Sequence, residues 1–305
     1  MKKFTMLLFL LFSFSLLAGC SGGSGGQTSP GQLSVVTSFY PMYDFASKVV
    51  GDQATVTNLT PAGVEPHDWE PSASDMITLE KADVFIYNGA GMEHWVDSVL
   101  ASLQNKNLIV VEASIDAPFL AAGGKANASA AAIDPHVWLD PQIAKLEMHT
   151  ILDSLKKASP EHADYFQANY DKYALEFDKL DGEFSSALSG VPQKNIVVAH
   201  NAFGYLCNAY GLTQVPIEGL SADSEPDAAR MSEIIDFVGK NNVKVIFFEE
   251  LVSPKVAQAI AKETGSTTAV LNPLEGISDK DQTAGEDYFS VMRTNLKTLV
   301  AALSQ

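Results

Sequence analysis

The stretch SPEHADYFQANYDKYALEFDKLDGEFSSALSG, residues Ser159 to Gly190, decides how the rest of the chain is arranged. Its apolar residues recur at intervals of three and four, so a helix places them on one stripe: Phe166, Tyr170, Tyr173, Phe177, Leu180, Phe184 and Leu188. Ser159 suits the cap, Pro160 the first helical position and Gly190 the end. A helix from Glu161 to Leu188 would be about 40 Å long. We expect a rigid helix, residues 159–190, that links two lobes; the alternative is an ordinary long helix packed within one domain.

Strand and helix patterns alternate on both sides of this helix, which predicts parallel sheets covered by helices. The predicted strands of residues 33–158 are Leu33–Thr37, Ala54–Leu59, ADVFIYNG at 82–89 and Leu108–Val111. Those of residues 191–305 are Asn195–Ala199, Thr213–Ile217, Lys244–Phe248 and Thr268–Leu271, and a helix over Ala284–Leu303 closes the chain. The segment Ala113–Ile133 is poor in large side chains, and we expect a mobile surface loop there. The fold class is therefore α/β, with two lobes.

The first twenty residues, MKKFTMLLFLLFSFSLLAGC, have the features of a targeting signal. Two lysines precede an apolar core that is too short for a permanent membrane anchor. The ending Leu-Ala-Gly-Cys resembles the bacterial lipoprotein signal, which predicts cleavage before Cys20 and a lipid on that cysteine. The alternative is an ordinary secretory or an uncleaved signal. Residues 21–32 have the composition of a flexible tether, so we expect the folded part to work just outside a membrane.

The net charge and the number of cysteines limit the ligands and the covalent bonds that we expect for this chain. The chain of 305 residues carries a formal charge of −17, which excludes binding of nucleic acid through general electrostatics. An acidic surface is compatible with attracting cations. Cys207 is the one cysteine besides Cys20, so a lipidated Cys20 leaves no intramolecular disulfide, and the setting of Cys207 indicates a buried small residue.

Three of the six histidines fall where predicted strands pass into loops. His67 and His136 come from the first half and His200 from the second. Because ligands bind at the carboxyl ends of parallel strands, the three imidazoles point to one crevice between the lobes. Each histidine alone is more often a surface or hydrogen-bonded residue than a ligand. Together they favour a transition-metal site.

A fourth ligand is expected from the second half, since otherwise that lobe would hold the ion by one bond. The loop LNPLEG offers Glu275; the alternative is a solvated loop acid. Three nitrogens and one carboxylate form a tetrahedral set suited to zinc, whereas manganese favours more oxygen ligands.

The motifs HDWEPSASD, DPHVWLDP, VVAHNAFGYLCNAYGL, LSADSEP, FFEELVSPKVAQAIAKETG and LNPLEG together resemble the metal-binding lipoproteins of bacterial ABC importers. The similarity covers the chain from about Leu33 and is to the cluster of solute-binding proteins that take up zinc or manganese, in its zinc-specific, adhesin-like branch. It implies two α/β lobes joined by one rigid helix, with the metal held between them. It also implies an extracytoplasmic, lipid-anchored protein that delivers the ion to a membrane permease with a cytoplasmic ATPase.

By motif, the resemblance maps His67, His136 and His200 onto the family's histidine ligands. Manganese members tend to carry a carboxylate where His200 stands, so this histidine favours zinc. Asn272 occupies a position where the family often has a ligand Asp, and a zinc branch with LNPLEG uses the glutamate instead, which favours Glu275. Many zinc members carry a histidine-rich loop before the second ligand, whereas residues 113–133 contain no histidine.

Carboxylates are expected behind the imidazoles, because metal-bound histidines usually donate their other N–H to an acid or a carbonyl. Glu249 and Asp223 are the candidates, and Arg230 is a candidate partner for one of them. Three functions remain open: a zinc or manganese receptor, a zinc hydrolase and a surface adhesin with a structural metal. No HExxH motif, serine nucleophile elbow or phosphate loop is present, which disfavours an enzyme. We expect a monomer.

Overall fold

The computed structural model describes residues 32–121, 125–126, 133–220 and 226–305. The predicted signal with Cys20, most of the predicted tether and Asp223 lie outside the described residues. Among the described residues, no helix is both long and apolar enough to cross a membrane.

The first lobe is a four-stranded parallel sheet in the order β2-β1-β3-β4. Its strands carry buried apolar residues on both faces, because helices cover both sides. Val35 points to the centre of the molecule, while Val36 packs with Phe85 under the outer helices. The elements are β1 (Leu33–Thr37), α1 (Tyr40–Val50), β2 (Ala54–Asn58), α2 (Ala73–Glu80), β3 (Val84–Tyr87), α3 (Val96–Ser102) and β4 (Ile109–Glu112).

The segment that follows β4 is only partly the surface loop that composition predicts. It contains a short antiparallel ribbon, β5 (Leu120–Ala121) and β6 (Lys125–Ala126). Leu120 and Ala121 are buried, and the backbone N–H of Leu120 donates to the hydroxyl of Tyr205 in the second lobe at 2.9 Å. The expectation of a loop was wrong for this part, because a buried tertiary hydrogen bond holds it.

The second lobe repeats the arrangement, with a four-stranded parallel sheet in the order β10-β9-β7-β8. Its elements are β7 (Asn195–Val198), α6 (Gly204–Tyr210), β8 (Thr213–Pro216), α7 (Ala228–Lys240), β9 (Val245–Phe248), α8 (Lys255–Thr264), β10 (Thr267–Val270), α9 (Asp279–Ala284) and α10 (Tyr288–Leu303). The predicted single helix over Ala284–Leu303 was wrong at its start. Gly285 ends α9 with a φ of 79°, and Asp287 begins α10 with a capping box to Ser290.

Between the lobes, a short 3₁₀ turn (Val137–Leu139) leads into α4 (Pro141–Ala158), and a second turn (Pro160–His162) leads into α5 (Ala163–Leu188). The 26 residues of α5 span about 39 Å. The predicted stripe is confirmed, with five of its residues buried and Tyr170 and Tyr173 packed against the core. Ser159 stands at the N-cap of the turn Pro160–His162, but its side chain makes no capping hydrogen bond and its hydroxyl donates to Glu161 instead.

One apolar core continues from the first lobe through α4 and α5 into the second. Phe177 in α5 contacts Phe45 of α1 at a ring-centroid distance of 5.7 Å and Phe289 of α10 at 4.8 Å. Arg293 of α10 donates to Glu183 of α5 at 2.8 Å. The long helix is therefore packed against both lobes along its length, and their shared core opposes separation of the two sheets.

Candidate metal centre

The histidines and the glutamate singled out in the sequence converge at the seam between the lobes. His67 lies in the loop after β2, and His136 directly precedes the 3₁₀ turn at Val137. His200 follows β7, and Glu275 follows β10. His67, His200 and Glu275 therefore lie beyond the carboxyl ends of parallel strands, as the topology predicts, whereas His136 is placed by the segment that leads into the 3₁₀ turn.

The four donor atoms surround one point. His136 Nε2 lies 2.9 Å from Glu275 Oε1, and His200 Nε2 lies 3.1 Å from the same oxygen. His67 Nε2 is 3.2 Å from His136 Nε2 and 3.3 Å from Glu275 Oε1, and the two nitrogens of His136 and His200 are 3.4 Å apart. A tetrahedral zinc ion with bonds of about 2.0–2.1 Å requires donor separations of about 3.3–3.4 Å. The observed separations are close to those of a zinc polyhedron.

Buried carboxylates orient two of the imidazoles. His200 Nδ1 lies 2.6 Å from Glu249 Oε1, and His136 Nδ1 lies 2.8 Å from Asp134 Oδ1. Both acids are nearly or fully inaccessible to solvent. A carboxylate that accepts from Nδ1 leaves Nε2 directed to the centre and increases its basicity as a ligand. Glu249 therefore lies where the sequence predicted a supporting acid.

Sequence reasoning missed Asp134 and Glu65, although the chain contains a signal for both. Each is the first residue of an acid–Pro–His tripeptide: Glu65 in the one that ends at His67, and Asp134 in the one that ends at His136. In both tripeptides the acid accepts a hydrogen bond from the backbone N–H of the histidine, at 2.9 Å from Glu65 and 3.0 Å from Asp134. The repeated tripeptide thus fixes the backbone from which each imidazole projects.

Arg230, a further outer candidate, binds groups away from the metal site in the described structure. It donates to Glu233 at 3.2 Å and to the carbonyl of Pro216 and not to Glu249, one of its two predicted partners. Arg230 lies in the first turn of α7, where a neighbour three residues along the helix is within easy reach. Asp223 lies outside the described residues.

The charges within the seam are strongly coupled. Burial by itself would lower the pKa of His200, but Glu249 and Glu275 outweigh burial and raise it well above the usual value. Burial likewise opposes the charge of His136, yet Asp134 and Glu275 raise its pKa. Burial would raise the pKa of Glu275, whereas His200 and the other imidazoles hold it well below its usual range.

Glu65 behaves differently from the other acids of the seam. Burial, followed by the charge of Glu275, raises its pKa to about 8. At neutral pH Glu65 is therefore mostly protonated and contributes little negative charge to the seam.

Solvent reaches the centre from one side. The side chain of His67 is 10% exposed, whereas those of His136, His200 and Glu275 are at most 2% exposed. A cavity of about 620 Å³ opens in front of His67, with Ala90 and Phe119 among its lining residues. Two α/β lobes around one long helix, with a buried nitrogen-and-carboxylate cluster in their seam, define a metal-binding solute-binding protein.

Comparison with known proteins agrees with this class. The chain matches the ZnuA family, described as "Zinc-uptake complex component A periplasmic", over residues 35–302, and it therefore belongs to that family. The family consists of solute-binding receptors for zinc uptake and not of enzymes, so the predicted family, fold class and non-enzymatic role are confirmed.

Individual relatives extend the similarity over the whole chain. The high-affinity zinc uptake system protein ZnuA of Bacillus subtilis (strain 168) is 38% identical, over 99% of this chain and 98% of the relative. The zinc-binding lipoprotein AdcA of Streptococcus pneumoniae (strain ATCC BAA-255 / R6) is 40% identical over 100% of this chain. The chain spans only 62% of the length of that AdcA.

Solved structures show the same fold. The Zn(II)-bound ZnuA-like domain of Streptococcus pneumoniae AdcA is 41% identical with a TM-score of 0.79, over 90% of this chain and 100% of that chain. The laminin-binding protein Lmb of Streptococcus agalactiae, titled a bifunctional protein with adhesin and metal transporting activity, is 34% identical with a TM-score of 0.80. That similarity covers 89% of this chain and 99% of the Lmb chain.

Proposed function

We propose that this chain captures Zn²⁺ in the seam between its lobes and delivers it to the membrane permease of an ABC importer, which a cytoplasmic ATPase drives. The observation that carries the proposal is the convergence of three Nε2 atoms and one carboxylate oxygen, all within 4.8 Å of one another and in five of the six pairs separated by 2.9 to 3.4 Å. His67, His136, His200 and Glu275 are the proposed ligands. Membership of the ZnuA family supports zinc as the ion carried.

The donor chemistry favours zinc over manganese. Three imidazole nitrogens and one carboxylate suit tetrahedral zinc, whereas manganese favours a shell of oxygen ligands. A glutamate, an aspartate or a water in place of any one of the three histidines would change that preference. The manganese receptor and the adhesin with a structural metal are the less favoured alternatives, because the matched family is one of zinc uptake.

Capture begins at the exposed edge of the site. His67 faces the cavity, so we infer that it meets the incoming cation first and that the three buried ligands complete the shell. Binding requires the imidazoles to lose the protons that Asp134 and Glu249 help them to hold, because a metal ligand must present a free lone pair. Capture is therefore coupled to proton release.

The seam favours local rearrangement over wide opening of the lobes. The indole N–H of Trp138 donates to the carbonyl of Pro273 at 2.8 Å, and the hydroxyl of Tyr288 donates to the carbonyl of Trp138 at 2.7 Å. The hydroxyl of Tyr205 donates to the carbonyl of Asp134 at 2.9 Å. These buried bonds cross between the lobes beside the site. They support the prediction that binding and release move loops and side chains while the lobes stay together.

The setting in the cell follows the same proposal. Residues 1–20 direct export, Cys20 carries the lipid and residues 21–32 form the tether. The lobes are residues 33–158 and 191–305, joined by residues 159–190. The protein then works as a monomer on the outer side of the membrane, and relatives named as zinc-binding lipoproteins support the anchored arrangement.

Zinc binding tests the ligand set directly. We expect His200→Ala and Glu275→Ala to weaken binding severely, while His149→Ala, which removes a half-exposed imidazole of α4, leaves it unchanged. A competition assay against a chromophoric zinc chelator measures all three. Equal affinities for His200→Ala and His149→Ala would overturn the proposed site.

Transport requires a separate test in cells. A strain that lacks this chain should stop growing when a chelator removes zinc, and added zinc should restore growth while added manganese should not. Re-expression of the native chain should restore zinc uptake, and re-expression of His200→Ala should fail. Normal zinc uptake in the deleted strain would refute the transport role while leaving metal binding intact.

A further inference from the structure

The loop that carries Glu275 is held by a pair of buried asparagines. Asn295 of α10 accepts a hydrogen bond at Oδ1 from the backbone N–H of Asn272 at 2.9 Å, and its Nδ2 donates to the backbone carbonyl of Asn272 at 2.7 Å. Asn272 and Asn295 are 9% and 2% exposed. Both polar backbone groups of Asn272 are therefore bound by one side chain of a rigid helix.

The side chain of Asn272 in turn shapes the residues that follow it. Its Oδ1 accepts from the backbone N–H of Leu274 at 2.7 Å, and its Nδ2 lies 3.5 Å from Glu250 Oε2. Its polar atoms are therefore engaged with the loop and with Glu250. At this position the family often carries a ligand aspartate, whereas the side chain of Asn272 binds the loop that bears Glu275.

Leu274 has a left-handed backbone, with a φ of 59°. This conformation is unfavourable for a residue with a Cβ, and it persists only where the surroundings enforce it. The side chain of Leu274 is fully buried, and its N–H is the group that Asn272 binds. Because Leu274 directly precedes Glu275, its backbone angles set the direction in which the carboxylate projects.

We propose that Asn272, itself fixed by Asn295, is a positioning residue that directs the Glu275 carboxylate to the zinc ion. The inference rests on the proposed function, in which Glu275 is a ligand. Without the side chain of Asn272, Leu274 relaxes to a right-handed or extended conformation and Glu275 turns away from the three imidazoles. Residues that support metal ligands in this way typically change affinity about 10- to 100-fold when removed.

A double-mutant cycle on zinc affinity tests the proposal. We expect Asn272→Ala to weaken binding about 10-fold or more in the native background. In a Glu275→Ala background the same substitution should cost less than about 2-fold, because the group that it positions is already gone. Chelator competition measures the four affinities, and thermal unfolding of each metal-free variant checks that the fold is intact.

Two further measurements separate positioning from general loss of structure. Cobalt-loaded Asn272→Ala should show a visible absorption spectrum close to that of cobalt-loaded Glu275→Ala, because both lack the carboxylate ligand. If Asn272→Ala does not fold, Asn295→Ala replaces it in the cycle. That substitution keeps the side chain of Asn272 but frees its backbone, and we expect it to weaken zinc binding in the native background and much less in the Glu275→Ala background.

The possible failures can be told apart. An equal loss from Asn272→Ala in both backgrounds, or no loss in the native one, overturns the positioning role. Native zinc affinity in Glu275→Ala alone would instead overturn Glu275 as a ligand, and the proposed site with it.

Discussion

Replacing Glu249 with glutamine removes one charge from the seam and little else. Glu249 Oε1 lies 2.6 Å from His200 Nδ1, and the residues are 3% and 0% exposed. The glutamine amide oxygen can still accept from Nδ1–H, so the imidazole keeps its orientation. What changes is the basicity of His200, since the carboxylate that raises its pKa is gone.

The expected loss of zinc affinity depends on pH. Removing a residue that hydrogen-bonds a metal ligand typically weakens metal affinity about 10- to 100-fold. Because Glu249→Gln keeps the hydrogen bond, we expect its zinc affinity at pH 8 to be weaker by about 10-fold, or about 1.4 kcal/mol. Glu249 also makes His200 hold its proton more tightly, and zinc must displace that proton. Below the raised pKa of His200, each fall of one pH unit weakens the zinc affinity of the native protein about tenfold. In the variant the pKa of His200 is lower, so this weakening begins at a lower pH. The ratio of native to variant affinity should therefore fall as the pH is lowered from 8 to 6.

Chelator competition at pH 8, 7 and 6 measures this ratio. Calorimetry in two buffers with different heats of ionisation counts the protons released, and we expect fewer for Glu249→Gln than for the native protein at pH 7. Asp236→Asn is the matched control, because it removes an exposed acid of the same lobe and should change neither quantity. A native-to-variant ratio that stays constant from pH 8 to pH 6, or equal affinities at pH 8, would refute the assigned role of Glu249.

Three other predictions concern the rest of the molecule. Zinc binding at pH 7 should release protons, because two buried imidazoles have raised pKa values; calorimetric release of none would contradict this. Burial and then Glu93 raise the pKa of Glu147 well above its usual value, so Glu147→Gln should raise the free energy of unfolding at pH 8. Denaturant titration should show that gain disappearing towards pH 4, with no gain from exposed Asp153→Asn. Gly204→Ala places a Cβ against the carboxylate of Asp134 and should weaken zinc binding several-fold, whereas Gly182→Ala on α5 should leave affinity unchanged.

The sequence predicted elements well where one local pattern decides them. The apolar stripe of α5 has seven members, and from it the start of the helix was predicted to within two residues. The final helix was predicted to begin too early, because the spacing of its apolar residues carries no sign that one helix ends at Gly285 and the next begins at Asp287. Composition likewise predicted a loop where Leu120 is held by the hydroxyl of Tyr205, a residue 85 positions away.

The site shows the same division between local and distant causes. The placement of His67, His200 and Glu275 beyond strand ends followed from topology, and the structure brings them together with His136. The acid–Pro–His tripeptides at Glu65 and Asp134 were readable in the sequence and were missed, because an acid two residues away resembles ordinary surface polarity. Arg230 could not be assigned, since its partner depends on where α7 begins.

What the sequence determined by itself is the set of groups available: an apolar stripe for one long helix, alternating strands and helices for two sheets, and imidazoles at strand exits. These follow from periodicities of two and 3.6 residues, which act over a few turns or a single strand. Only the tertiary structure decided which of those groups meet. The Glu249 partner of His200 and the Asn272–Asn295 pair depend on contacts between residues 49 and 23 positions apart, which the packing of the folded chain brings together.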